Sequence, residues 1–206
     1  MSAAEGRAVF ESAARAFADL VREIPDSTWS GPGLGEWDLR SLIGHTSRSL
    51  VTVHEYLKSP ADQEDIADAA GYYVHVRAAS ASLDPAQIVE RGRQAGQALG
   101  ADPVSTIDTL VEQALADIDA AGDPLITVIG GVGIRLSSYL PTRIFELAVH
   151  GLDIAEAARV EFTPPSDVLT AATVLAAQIA VAFGDGPTVL RSLTGRAALP
   201  PRYSVV

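Results

Sequence analysis

The sequence predicts a mainly α-helical fold that forms one domain over residues 1–206. Three observations support this prediction: apolar residues recur at helical spacing in several segments, capping residues precede these segments, and proline or glycine follows them. A chain of 206 residues is long enough to bury its own core. We expect residues 184–206 to form a short C-terminal extension.

The first two helices are predicted over residues 3–24 and from Asp38 to about Leu57. Pro25 ends the first helix, because proline cannot continue a helical hydrogen-bond ladder. Asp38 is a good N-cap for the second. The apolar face of the first helix consists of Val9, Phe10, Ala13, Phe17, Leu20 and Val21.

The middle of the chain begins with a long connection over residues 58–83, in which Tyr72–Val76 suggest a short buried piece. Long connections in helical bundles often cover an active site. Helices are then predicted over 85–99, after Asp84-Pro85, and from Pro103 to about Ala120, because aspartate followed by proline is a typical helix start.

The C-terminal part combines a predicted β-hairpin with further helices. The β-like runs 125–129 and 134–136 flank four residues that include three glycines, and the hairpin should lean on the bundle, since an isolated hairpin is only marginally stable. Helices follow from about Pro141 to Arg159 and over residues 166–183. A short helix over 187–194 and an irregular tail complete the chain.

The composition excludes several classes of function. Without cysteine, the chain has no disulfide, iron–sulfur cluster or cysteine nucleophile, and any thiol chemistry must use a thiol from a small molecule. A net charge of −11 repels phosphate backbones and anionic lipids, so we expect neither nucleic acid nor a membrane as partner. The absence of a spanning apolar stretch and of a signal peptide predicts a cytoplasmic location.

The helix that follows Pro141 has an unusual stripe of charged and polar residues. With about 100° per residue, Arg143, Glu146, His150 and Asp153 fall within an arc of roughly 80°. The rest of the helix surface is apolar nearly all round, which is typical of a buried helix. Its apolar residues are Ile144, Phe145, Leu147, Ala148, Val149, Leu152, Ile154 and Ala155.

Two arrangements of side chains explain such a stripe, because a buried charge is costly unless it is paired or bound to a metal. One is a ladder of salt bridges, Arg143 with Glu146 and His150 with Asp153. The other is a metal site in which Glu146 and His150, four residues apart, reach one cation. A metal needs a third ligand, for which His45, His54 and His75 are the candidates.

Two motifs resemble those of a known family. Residues 37–45 have the pattern W-x-x-x-x-L-x-x-H, and residues 143–153 have the pattern R-x-x-E-x-x-x-H-x-x-D. Both are similar to signatures of the DinB-like bundle and, more narrowly, of the mycothiol-dependent maleylpyruvate isomerase family of actinobacteria. The resemblance covers roughly residues 8–183.

The resemblance implies a DinB-like four-helix bundle with a long crossover and a divalent metal, zinc, held by His45, Glu146 and His150. Three such ligands leave open positions for water or substrate, as in catalytic zinc sites, although the ligand types also suit nickel, iron and cobalt. Asp153 would then orient a ligand histidine. Arg143 would either hold a substrate carboxylate or have a structural role.

The function that follows is a metal-dependent enzyme with mycothiol as co-substrate, which performs isomerisation or S-transfer on a small electrophile. The family's catalytic arginine has no counterpart in residues 59–76, so we assign that role to no residue. Related bundles often pair, which makes a homodimer a further expectation. Two alternatives stay open: a metal hydrolase with Asp153 as the nearest base, and a non-catalytic metal-binding or ligand-sensing bundle closed by a fourth ligand such as His54.

Overall fold

The structure is a computed structural model that describes residues 1–80 and 84–206. Its described residues are mainly helical with one small antiparallel sheet, which confirms the predicted fold class. In chain order the elements are α1 (Ala3–Arg22), a short 3-10 helix (Asp26–Thr28), α2 (Leu39–Leu57), α3 (Ala69–Ser80), α4 (Pro85–Ala98), α5 (Pro103–Ala121), β1 (Leu125–Val128), β2 (Val132–Arg135), α6 (Leu136–Ala158), α7 (Ser166–Ala182) and α8 (Gly186–Leu193).

Four helices form the centre of the molecule as a closed ring. In this ring α1 packs against α5 and α6, and α2 packs against the same two helices from the other side. The chain passes from α2 to α5 through a long connection that contains α3 and α4, and α4 packs on the outer side of α2. Helix α7 covers α6, α1 and α3, while α8 packs on α7 and has no buried residue.

Aspartate caps start several helices where the sequence predicted them. The side chain of Asp38 accepts a hydrogen bond from the backbone N–H of Ser41 at 2.8 Å, and Asp84 and Asp102 cap α4 and α5 in the same way. Each cap satisfies an N–H group that has no partner within its helix.

The connection predicted over residues 58–83 is more regular than the sequence suggested. Tyr72 and Tyr73 belong to α3, a helix of three turns, and both are buried, whereas Val74 is exposed. Residues 81–83, at the end of that predicted connection, lie outside the described residues.

Helix α6 begins at Leu136, before the Pro141 start that the sequence predicted. Asp123 supplies the cap from outside the helix: its carboxylate accepts hydrogen bonds from Ser137 N at 2.8 Å and from Ser137 Oγ at 2.9 Å. Pro141 is therefore inside α6, where its missing N–H removes one bond of the ladder.

The hairpin has the predicted location and leans on the long connection. Gly130 and Gly131 have φ values of 86° and 74°, a backbone region that favours glycine and that forms the turn between the strands. Gly133 accepts a hydrogen bond from Ile66 N at 3.0 Å and donates one to Asp65 Oδ2 at 2.7 Å. No helix among the described residues is long and apolar enough to cross a membrane.

Candidate metal centre

Two helices of the ring bring the predicted ligands together. His45 lies on α2, directly after Gly44, where α4 approaches so closely that a Cβ atom at Gly44 would lie 2.2 Å from Gly96 N. Glu146 and His150 lie one turn apart on α6 and face the same side of that helix. Because α2 packs against α6, all three side chains reach the same space.

The donor triad, His45, Glu146 and His150, has the dimensions of a metal site. One ligand atom from each residue lies within 4.8 Å of the other two, and the two imidazole rings are 5.1 Å apart. Donor atoms around one tetrahedral zinc are about 3.4 Å apart, so binding an ion needs only a small contraction of the triad. Two imidazoles and a carboxylate are also a donor set that divalent zinc, nickel, iron or cobalt accepts.

Neighbouring side chains hold the triad in orientation. His150 Nδ1 lies 3.0 Å from Asp153 Oδ2, which directs Nε2 toward Glu146 Oε2 at 3.3 Å. Tyr73 donates a hydrogen bond to Glu146 Oε1 at 2.7 Å. In metal sites, a carboxylate commonly accepts a hydrogen bond from the second nitrogen of a ligand histidine, and Asp153 makes this contact with His150.

His45 is held in place from α4. The ring of Trp37 packs against His45 with 4.5 Å between centroids, and Trp37 Nε1 donates to the Val89 carbonyl at 2.9 Å. The aromatic ring and the hydrogen bond to α4 limit the rotation of the His45 ring.

The charges of the metal-free site are set by burial and by mutual contacts. Burial and the nearby charge of His150 lower the pKa of His45 to about 4. Burial opposes the charged form of His150, but hydrogen bonds to Asp153 and Glu146 outweigh it and raise the pKa of His150 to about 9. Burial likewise opposes ionisation of Glu146, yet His150 and Arg143 lower its pKa to about 2. At neutral pH, His150 is therefore protonated, and its positive charge neutralises part of the negative charge of Glu146 and Asp153. A bound metal ion would supply positive charge at the same place.

Only half of the salt-bridge ladder considered from the sequence is formed. His150 pairs with Asp153 and with Glu146, but no ion pair joins Arg143 to Glu146 in the described chain. Arg143 is only 8% exposed, and its guanidinium lies over the ring of Tyr139 at 4.8 Å. Its Nε donates to Thr142 Oγ1 at 3.0 Å.

The other two candidate histidines are bound elsewhere. His54 Nδ1 is hydrogen-bonded to Asp117, and its Nε2 contacts the ammonium of Lys58. His75 Nε2 donates to the Ile129 carbonyl at 3.1 Å and so attaches α3 to the hairpin turn. Neither histidine belongs to the donor triad, and His54 is not a fourth ligand.

A cavity of about 260 Å³ adjoins the triad, and we call it the central cavity. Among the residues that line it are His45 and Glu146 of the triad and three arginines, Arg48, Arg91 and Arg143. The rest of its lining is hydroxyl-bearing or aliphatic and consists of Ser49, Thr52, Tyr56, Tyr72, Tyr73, Tyr139, Val76, Ile88 and Ile129. The open side of the triad thus faces a space of small-molecule size.

Sequence analysis did not identify Trp37, Arg48 and Tyr73 as site residues. For Trp37 and Arg48 a signal was present, since one belongs to the first motif and the other lies one turn after His45. Tyr73 gave no usable signal because the helix that carries it was not recognised.

Comparison with known proteins gives one match. The sequence model of the family described as "Mycothiol maleylpyruvate isomerase N-terminal domain" matches residues 10–155, a segment that includes the whole donor triad. Searches of curated proteins and of solved structures give no significant match.

Proposed function

The chain belongs to the mycothiol maleylpyruvate isomerase N-terminal domain family, and from that membership we propose a metal-dependent enzyme that uses a low-molecular-weight thiol. The metal is zinc, the thiol is mycothiol, and the reaction is isomerisation of a small electrophile or S-transfer, in which the whole thiol is added to the electrophile through its sulfur. The observation that carries this proposal is the convergence of His45, Glu146 and His150 at the wall of the central cavity.

The residues around the triad have distinct parts in this proposal. A bound divalent metal would lower the pKa of a coordinated thiol, so that thiolate would be available at neutral pH. Asp153 keeps the His150 tautomer whose Nε2 is free to ligate, and Tyr73 fixes one oxygen of Glu146. Because the chain contains no cysteine, the thiol must enter the central cavity from outside.

The structure favours a thiol over activated water as the nucleophile. A hydrolase needs a general base that is free to take a proton from the water. Asp153, the nearest such base considered from the sequence, is already bonded to His150 Nδ1 at 3.0 Å. A carboxylate in that position orients the imidazole, and Asp153 is not among the residues that line the central cavity.

The test is a titration of metal-free protein with Co²⁺, followed by a low-molecular-weight thiol. We expect wild type and His54→Ala to bind one equivalent of cobalt and His45→Ala to lose stoichiometric binding, because the two histidines share α2 but only His45 belongs to the triad. Mycothiol should then produce a sulfur-to-cobalt charge-transfer band in the near ultraviolet. With no cysteine in the chain, that band can come only from the added thiol.

Two results would contradict the proposal. Unchanged cobalt binding by His45→Ala would reject the donor triad. A wild-type protein that binds cobalt but shows no charge-transfer band with thiol would reject thiol chemistry and leave the metal site intact.

A further inference from the structure

Helix α7 has two stripes of apolar and small residues, on different sides of the helix. The inner stripe is buried against the core and consists of Val168, Ala172, Leu175 and Ile179. A second stripe repeats the same intervals two residues later, and we call it the outer stripe; it consists of Thr170, Val174, Ala177 and Val181. With about 100° per residue, these four side chains fall within an arc of roughly 60°. Successive intervals of four, three and four residues are the spacing of a helix–helix seam.

The outer stripe forms an apolar surface that one copy of the chain leaves exposed. Val174 and Val181 are 51% and 66% exposed, and α8 extends this surface with Leu190 and Leu193, which are 64% and 71% exposed. Charged residues make up 20% of the chain, yet α7 contains only one, Asp167. An apolar surface of this kind, with polar residues at its rim, is typical of a protein interaction site.

The two ends of α7 lie beside opposite charges. A groove of about 670 Å³ borders its N-terminal half, and its lining includes Val174 and three carboxylate side chains, Glu5, Asp68 and Asp167. Beyond its C-terminal end, residues 186–206 contain no acidic residue and three exposed arginines, Arg191, Arg196 and Arg202. None of these arginines forms an ion pair within residues 1–80 and 84–206.

This distribution of charge is complementary between two copies of the chain. Val174 is the middle residue of α7, so an antiparallel pair of α7 helices centred on it sets each acidic end against the basic end of the other copy. Two-fold symmetry makes this contact twice. Contacts through other surfaces are opposed by repulsion, because residues 1–185 hold all 26 acidic residues but only 12 of the 15 basic ones.

We propose that the chain forms a two-fold dimer in which the outer stripes of two antiparallel α7 helices pack together. At the symmetry axis, Val174 meets Val174 of the partner subunit. The side chains of Thr170 and Ala177 are small and let the two helices approach closely. The apolar edge of α8, with Arg191, then faces the acidic groove of the partner. No residue of the donor triad lies on α7 or α8, so this inference is independent of the proposed function.

Sedimentation equilibrium at up to about 1 mM protein tests whether the chain dimerises through this surface. We expect a monomer–dimer equilibrium in wild type and a dissociation constant at least about tenfold higher in Val174→Asp, because two like charges then meet at the axis. Leu34→Asp is the matched control and should leave the equilibrium unchanged, since Leu34 is 41% exposed and lies in the loop before α2. Circular dichroism checks that each variant is folded.

A wild-type chain that stays monomeric over this range would overturn the proposal, and so would a Val174→Asp variant that dimerises as strongly as wild type. Dimerisation stabilises the folded state by mass action. The unfolding of the protomer is therefore measured separately, at concentrations below the dissociation constant.

Single cysteine substitutions test the antiparallel arrangement, because the chain has no cysteine of its own. Under mild oxidation, Val174→Cys should give a disulfide-linked dimer, since that position lies at the symmetry axis. Val181→Cys belongs to the same stripe but lies seven residues from the centre, so its two thiols would be about 21 Å apart and should not cross-link. Cross-linking in both variants would indicate parallel helices and contradict the proposal, as would the absence of cross-linking in Val174→Cys.

Discussion

His150 lies between two carboxylates, and this position couples the stability of the metal-free protein to pH. Its pKa is raised from 6.5 to about 9 by hydrogen bonds to Asp153 and Glu146, despite burial. The folded state therefore holds a proton that the unfolded chain has already lost between these two values. His45 behaves in the opposite way, because burial lowers its pKa from 6.5 to about 4.

We predict that metal-free protein is most stable near pH 6.5. Stability contributed by His150 is complete below 6.5 and is lost as pH rises through 9, since the folded state binds the extra proton. On the acid side, stability is lost as pH falls from 6.5 toward 4, because the unfolded state protonates His45 first. The measurement is the urea midpoint of unfolding across this range, with chelator present.

The control for this prediction is His150→Gln, which retains a polar side chain but does not titrate. Its urea midpoint should change much less between pH 6.5 and pH 9 than that of wild type. An alkaline decrease of the same size in both proteins would show that other groups cause it.

The residues of the donor triad could be selected from the sequence, but the residues that contact them only in part. His45, Glu146 and His150 belong to motifs with fixed spacing, and Asp153 follows His150 by three residues. Tyr73 lies on α3. Because α3 packs against both α6 and α7, the apolar residues of this helix do not form a single stripe. Without that stripe, helical periodicity is hard to detect.

At the scale of elements, glycines bring α4 against the site. A Cβ at Gly44 would meet the α4 backbone at 2.2 Å, and a Cβ at Gly92 would meet Trp37 Nε1 at 2.3 Å. Both contacts are with groups that have little freedom to move. The close packing of α2 and α4 thus keeps Trp37 against the His45 ring.

Gly44→Ala is expected to lower the free energy of unfolding by at least about 2 kcal/mol, because α4 must move away from α2. Gly6→Ala is the matched control: it also lies in a helix, but its Cβ would meet only Met1 Cε, at 3.6 Å. That change should be neutral or stabilising by up to about 1 kcal/mol, owing to the higher helix propensity of alanine. Urea unfolding measures both, and equal effects would refute the close-packing argument.

The boundaries of α6 show why element limits were harder to predict than element types. Proline is favoured at the first turn of a helix, so Pro141 suggested a start there. The actual cap comes from Asp123, which precedes the hairpin and reaches Ser137 only because the hairpin folds back. A cap supplied across a hairpin leaves no signal in the local sequence.

At the scale of the whole molecule, the ring of α1, α2, α5 and α6 together with α7 contains most of the core. Helix α7 contributes buried Val168, Leu175 and Ile179, while the largest apolar side chains of α8, Leu190 and Leu193, are 64% and 71% exposed. Stability should therefore depend mainly on residues before Gly186.

We predict that deletion of residues 186–206 lowers the free energy of unfolding by less than about 2 kcal/mol, since α8 has no buried residue and, of the removed segment, Val205 alone packs against the core. Cobalt stoichiometry should stay at that of the full chain, because α8 packs on α7 and carries no residue of the donor triad. Deletion of residues 166–206 is the comparison and should abolish cooperative unfolding, since it exposes the α7 face of α6. Loss of the cooperative transition on deletion of residues 186–206 would contradict the conclusion that the core lies in the helices before Gly186.

The donor triad brings together α2 and α6, two helices separated in the chain by the long connection, α5 and the hairpin. An ion held by both would close a large loop of chain, much as a disulfide would in a protein that has cysteines. Such a metal cross-link is reversible, and the free energy by which it stabilises the fold increases with the concentration of the free ion. The supply of metal would then govern how long a folded copy resists proteolysis, as well as whether it can react.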